Sequence, residues 1–172
     1  MHYLIVRQFA LTLRNLDGIL AKVQQHAEAK KFDVNNFISA RLAPDMLPFV
    51  NQVRIACDYA KNTSAALAGK TAPKHEDNET TFADLRARIA KCLAYVDTFS
   101  EQDFQGTKLD TLVSLPNRPG KALRLDQYLL QRQIPNFFFH ATTAYDLLRA
   151  GGVEIGKTDF IGPLNFVEVP AA

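Results

Sequence analysis

Between Leu125 and Gly152 the chain reads LDQYLLQRQIPNFFFHATTAYDLLRAGG, a pattern that leaves few folds open to it. Leu130, Ile134, Phe137, Ala141, Ala144 and Leu148 recur at alternating steps of four and three, the period of a helix with one buried stripe. At about 100° per residue, Asn136 and His140 point to one side of that stripe, with Gln133 and Thr143 close to the same side. Three phenylalanines separate the pair. Gly151 and Gly152 supply a left-handed helix stop, and Val153 follows as its apolar contact. Arg149, in the last turn, suits the negative end of the helix dipole. Pro135 stands in mid-pattern, where it removes a backbone donor and crowds the carbonyl of Gln131, so a kink or local widening is expected just before Asn136.

At 172 residues the chain reads as one domain, residues 1–172, with enough length to bury a core without disulfides or metals as staples. A net charge of +2 and the lack of a dense Lys/Arg cluster argue against a nucleic-acid or membrane surface. No apolar run approaches the ~18 residues of a membrane span. The start, MHYLIVRQFALTLRNL, carries Arg7 and Arg14 and lacks a small-residue cleavage site, so it reads as an amphipathic helix and not a signal peptide. Cys57 and Cys92 both fall on apolar stripes, as buried free thiols of a reducing cytoplasm would.

The first helix is predicted from Tyr3 to about Lys30, with Ile5, Phe9, Leu13, Leu16, Leu20, Val23 and Ala27 inward and His26 at the boundary. Lys31 to Ala43 reads as a linker. A second helix is predicted from Pro44, its stripe Phe49, Val53, Ala56, Ala60 and Leu67, with Gln52 on the same face and Asp58 and Lys61 as solvated charges. Gly69 ends it. Lys70 to Thr80, KTAPKHEDNET, reads as a mobile surface loop, and His75 within it is expected to have no metal role. Thr81 and Asp84 form a capping box that opens a third helix with Phe82, Leu85, Ile89, Cys92, Val96 and Phe99 inward. Thr111–Leu115 and Lys121–Leu125 alternate around the turn cluster Pro116–Gly120, the mark of a small hairpin or irregular crossover. Val153 to Ala172 is expected as an extended tail over the surface with a short helical turn. Four amphipathic segments with a long third connection make an all-α fold, a four-helix bundle that is not a simple up-down-up-down array.

The chemistry visible in the sequence is sparse. Neither cysteine has basic neighbours that would lower its pKa. Gly151-Gly152 ends a helix instead of opening one, the wrong polarity for a phosphate loop. Phe137, Phe138 and Phe139 span about 200° of a helix and cannot all face one core, so one of them is expected to meet another element or a partner chain.

PNFFFHATTAYDLLRAGGVEIGKTDFIG, together with RLAPDMLPFVNQVRIACDYA, resembles a branch of small bacterial proteins defined by a domain of unknown function, within the DinB-like superfamily. The resemblance runs over essentially the whole chain. It implies an up-down-down-up four-helix bundle, often dimeric. In better-known members three histidines hold a divalent metal, one on the second helix and two spaced four apart on the last; some members are thiol-dependent transferases or isomerases. Those ligand positions fall here on Gln52, Asn136 and His140. Only one is a histidine, and carboxamide oxygens are weak ligands for zinc or nickel. The expectation is therefore a cytoplasmic, homodimeric bundle with a polar ligand pocket at Gln52, Asn136 and His140 and a degenerate metal site. It would have no resident cofactor, a binding or structural role, and room for a small-molecule ligand. The alternative is a metal- or His-dependent transferase or isomerase, with zinc or nickel on His140, Asn136 and Gln52.

Overall fold

A computed structural model describes residues 1–115 and 118–169. Helix α1 runs His2–Lys30, α2 Phe49–Leu67 and α3 Phe82–Val96. The last long segment is continuous but not uniform. One α-helical turn, α4 (Leu125–Gln127), passes into a π-helical stretch, Tyr128–Gln133, and then into α5, Ile134–Ala150. A short α6, Lys157–Ile161, follows. Between α3 and α4 lie a 3₁₀ turn, Glu101–Phe104, and a two-stranded antiparallel ribbon of β1 (Leu112–Ser114) and β2 (Ala122–Arg124). Its register pairs Leu112 with Arg124, Val113 with Leu123 and Ser114 with Ala122. The expected hairpin is thus present; Pro116 and Asn117 of its turn lie outside the described residues.

α1 packs against α2, α3, α5 and α6, and α2 also packs against α3 and α5. The apolar stripes meet in one core, in which Phe9, Phe49, Phe82 and Phe137 are wholly buried. Phe9 and Phe137 approach to 4.4 Å between ring centroids, and Phe49 stacks on Phe82 at 5.6 Å. Cys57 and Cys92 are free, buried thiols on facing helices, and Cys92 Sγ donates to the Cys57 carbonyl at 3.2 Å. The hydrogen bond between the two side chains, with burial, pushes the Cys57 thiol well above its usual pKa and leaves it inert.

The helix ends follow from local chemistry. Thr81 Oγ1 accepts from the Asp84 amide at 3.1 Å and Asp84 Oδ2 accepts from the Thr81 amide at 2.8 Å, the predicted capping box. At the end of α5, Gly152 has φ +87°, its amide bonds to the Arg149 carbonyl and that of Val153 to the Leu148 carbonyl, with Val153 buried. Gly151 is needed for space: a Cβ there would lie 2.3 Å from Cε1 of Phe37.

Several expectations change. α2 starts at Phe49, not Pro44, because Pro48 disfavours helical backbone at Leu47 and has no amide for the Pro44 carbonyl. Leu130 is 64% exposed, and Tyr128, Leu129 and Gln133 take the inward positions instead. The π stretch, which bonds i to i+5, carries extra residues per turn and rotates the stripe upstream of Pro135. The local widening expected at that proline is therefore real. Lys31–Ala43 is not plain linker. Asp33 caps a 3₁₀ turn, Val34–Phe37, and Asn35 Oδ1 accepts from the Phe82 amide at 2.8 Å. The short helical turn expected in the tail is present as α6, held to α1 by Asn15, whose Nδ2 donates to the Phe160 and Ile161 carbonyls at 3.0 and 2.8 Å.

Candidate functional site

The site begins with Gln52, on the inner face of α2 between Phe49 and Ala56 and only 1% exposed. A carboxamide buried this deeply must find partners. Its Nε2 donates to the Leu47 carbonyl at 2.8 Å, in the turn just before Pro48. That anchor turns Oε1 toward α5, where it lies 2.7 Å from His140 Nδ1. An acceptor so held selects the Nδ1–H tautomer, leaving the lone pair of neutral imidazole on Nε2. Tyr59 stacks on the imidazole at 6.0 Å and Phe139 meets it edge-on at 5.3 Å. Burial lowers the His140 pKa from its ordinary value, so the ring is neutral at pH 7. Nε2 has no hydrogen-bond partner among the described residues.

Asn136 does something different. Its Nδ2 donates to the Arg132 carbonyl at 2.6 Å, satisfying a backbone acceptor where the ladder changes from π to α beside Pro135. Asn136 also lines a cleft of about 570 Å³ with Tyr59, Gln131, Arg132, Leu115 and Leu123. Tyr59 belongs to both places: one contact is His140, another the Arg132 guanidinium, 5.7 Å from the ring centroid. Thus Gln52 and His140 are directly bonded, whereas Asn136 lines the adjoining cleft. Thr143, expected near this side, spends its hydroxyl on the Phe139 carbonyl at 2.7 Å. Gln133 is buried, its Oε1 without a partner among the described residues.

This donor set does not fit zinc or nickel. Gln52 Oε1 is engaged by His140 Nδ1–H at hydrogen-bonding distance, so of this pair only His140 Nε2 keeps a free imidazole lone pair for an ion. Asn136 is oriented by its Nδ2 bond to the Arg132 carbonyl, and the carboxamide oxygens of Gln52 and Asn136 are uncharged, weak ligands. Among the described residues no group of three or more His, Cys, Asp or Glu side chains is placed to share an ion.

A second polar cluster escaped the sequence reading. Arg88 of α3 is only 3% exposed; its Nη1 donates to Glu79 Oε1 at 2.9 Å and to the Glu76 carbonyl at 2.8 Å, and its Nη2 to Asp58 at 2.9 Å. Arg54 grips the other oxygen of Glu79 at 2.5 Å and the Glu79 carbonyl at 2.6 Å. Lys61, itself buried, pairs with Asp58 at 3.0 Å. Asp58 and Lys61 are therefore members of an ion-pair network and not solvated charges. The 70–80 segment is tied down, with His75 and Glu79 buried beneath it. Burial opposes ionisation of Glu79, but its own amide, Arg88 and Arg54 prevail and hold the carboxyl below its usual pKa. The signal available was Arg88 itself, one residue before Ile89 on the inner stripe of α3.

A helical bundle with this pair of polar residues across α2 and α5 has a close relative among solved structures. The crystal structure of a DinB family member from Shewanella denitrificans matches with a TM-score of 0.90 and 43% identity, covering 95% of this chain and 93% of that one. The class is therefore DinB-like. Residues 1–161 match the family described as domain of unknown function DUF1993, and the chain belongs to that family. No curated protein matches it.

Proposed function

We propose that the protein is a DinB-like bundle that binds a small molecule without a resident metal, in the cleft walled by Tyr59, Arg132 and Asn136 and backed by the Gln52–His140 pair. The observation that carries this reading is the 2.7 Å bond between Gln52 and His140. It turns the position of one ancestral ligand into the group that orients another, a role carboxamides and carboxylates play behind histidines in many sites. The same geometry favours a second reading, a metal-free transferase or isomerase in which His140 Nε2 accepts a proton. Both readings differ from a metalloenzyme in one measurement. Protein purified without an affinity tag is expected to contain no stoichiometric metal. Its His140 is expected to show the Nδ1–H tautomer by ¹⁵N NMR, with a pKa below 6.5 and shifts on ligand addition. Near-stoichiometric metal, lost in His140→Ala, would overturn the proposal.

The connectivity we infer is up-down-down-up within one domain, residues 1–172. Support comes from the order of paired residues. Arg14 meets Asp97 and the later Asp17 meets the earlier Arg86, as in antiparallel α1 and α3. Phe49–Phe82 and Cys57–Cys92 run in one order, as in parallel α2 and α3, whereas Gln52–His140 and Tyr59–Arg132 run in opposite order, as in antiparallel α2 and α5. A cytoplasmic setting agrees with the two free thiols. Among the described residues no helix is long and apolar enough to cross a membrane.

A homodimer is the partner we propose, and the phenylalanine run supplies its test. Phe137 is buried and Phe138 packs on Phe9 and Phe137, but Phe139 is 56% exposed. Phe139→Glu is expected to halve the mass seen by light scattering with little change in melting temperature. An unchanged mass would sink the proposed interface.

A further inference from the structure

We infer that the cleft beside Tyr59 is selective for organic anions, an oxyanion group carried on an apolar body; this rests on the small-molecule reading above and names its ligand class. The residues lining the cleft divide into two kinds. Leu115, Ala122, Leu123 and Tyr59 provide apolar surface, and Arg118, Lys121 and Arg132 provide cations. No carboxylate lines it among the described residues. Arg118, Lys121 and Arg132 have no carboxylate at ion-pair distance among the described residues, whereas the buried cations Lys61 and Arg88 do.

Arg132 is the most telling of the three. It is half-buried, with its guanidinium 5.7 Å from the Tyr59 ring centroid and 5.9 Å from that of Tyr128. Two aromatic neighbours hold the planar group in position by cation–π attraction while leaving its N–H donors for something else. A guanidinium with a free fork in a cleft matches a carboxylate or phosphate. Arg118 and Lys121, both exposed at the rim, add charge that steers an anion inward. Asn136, which also lines the cleft, has one amide N–H on the Arg132 carbonyl and brings no charge of its own. A volume of about 570 Å³ falls in the range of small-molecule sites and accepts a bicyclic body with one charged substituent.

The test compares shape-matched probes by calorimetry and ligand-observed NMR: naphthalene-1-acetate, its neutral amide naphthalene-1-acetamide, and 1-naphthyl phosphate. One or both anions are expected to bind at least about tenfold more tightly than the amide, the scale of one charge-assisted hydrogen-bond set. Tighter binding of the phosphate or of the carboxylate identifies which oxyanion the cleft takes. The preference should shrink in raised salt and fall to near equality in R118S/K121S, whose changes are at exposed positions, and in R132M. Equal affinity for acid and amide, or anion binding untouched by all these substitutions, would overturn the inference. If the amide binds and the anions do not, the charge inference fails while the small-molecule reading stands. If no probe binds and none shifts the His140 resonances, both fall.

Discussion

Arg88→Ala is expected to destabilise the protein by about 3–5 kcal/mol, the range seen when one partner of a buried ion pair is removed. The substitution strands Glu79, which is itself buried and would keep only Arg54 as a charged partner. It also frees the Glu76 carbonyl and leaves Asp58 with Lys61 alone, so the 70–80 segment loses its main anchor. For a chain of this size the melting temperature should fall by about 10 °C, read by calorimetry or circular dichroism. Pairing Arg88→Met with Glu79→Gln should recover part of the loss, since the cost arises from the uncompensated charge. A loss below about 1 kcal/mol would mean that the network is as weak as the exposed Arg7–Asp97 and Arg14–Asp97 pairs.

Phe137→Ala is the second large effect, about 3–5 kcal/mol, because it empties a wholly buried site against Phe9. Phe139→Ala, two residues on, should change the stability of the isolated protomer by no more than about 0.5 kcal/mol, since that ring is largely exposed within the chain. Chemical denaturation of the two variants side by side checks the contrast. Similar losses for both would show that the rotation of α5 differs from the one described.

Much of the architecture is legible without coordinates. The stripes of α1, α2 and α3, the capping box at Thr81 and the glycine stop after Ala150 all appear as expected. The family resemblance also stands, with the match to DUF1993 over residues 1–161 and to the Shewanella DinB family structure. These features rest on interactions within a few residues, so a short window contains their cause. Less legible were the places where neighbouring signals compete. Pro44 and Pro48 each suggest a helix start, and the second wins because a proline restricts the residue before it. Leu130 fits the 3.6-residue period, but the π stretch changes that period before Pro135.

The candidate site divides along the same line. That Gln52 faces inward from α2 and His140 from α5 follows from periodicity, because position on a helix face is a local property. That Gln52 meets His140 Nδ1 while Asn136 turns to the Arg132 carbonyl does not. Each amide has several acceptors and donors within reach, and only the packing of α2 on α5 and the π turn decides among them. The burial of Arg88 is the clearest case. Its charge alone predicts solvent, and its partners Asp58, Glu79 and Glu76 lie 30, 9 and 12 residues away. Apart from the start of α2 and the π stretch, helix faces and helix ends were therefore determined by the sequence alone. The pairing of polar groups was decided by tertiary structure, because buried donors and acceptors take whichever partner the fold brings within about 3 Å.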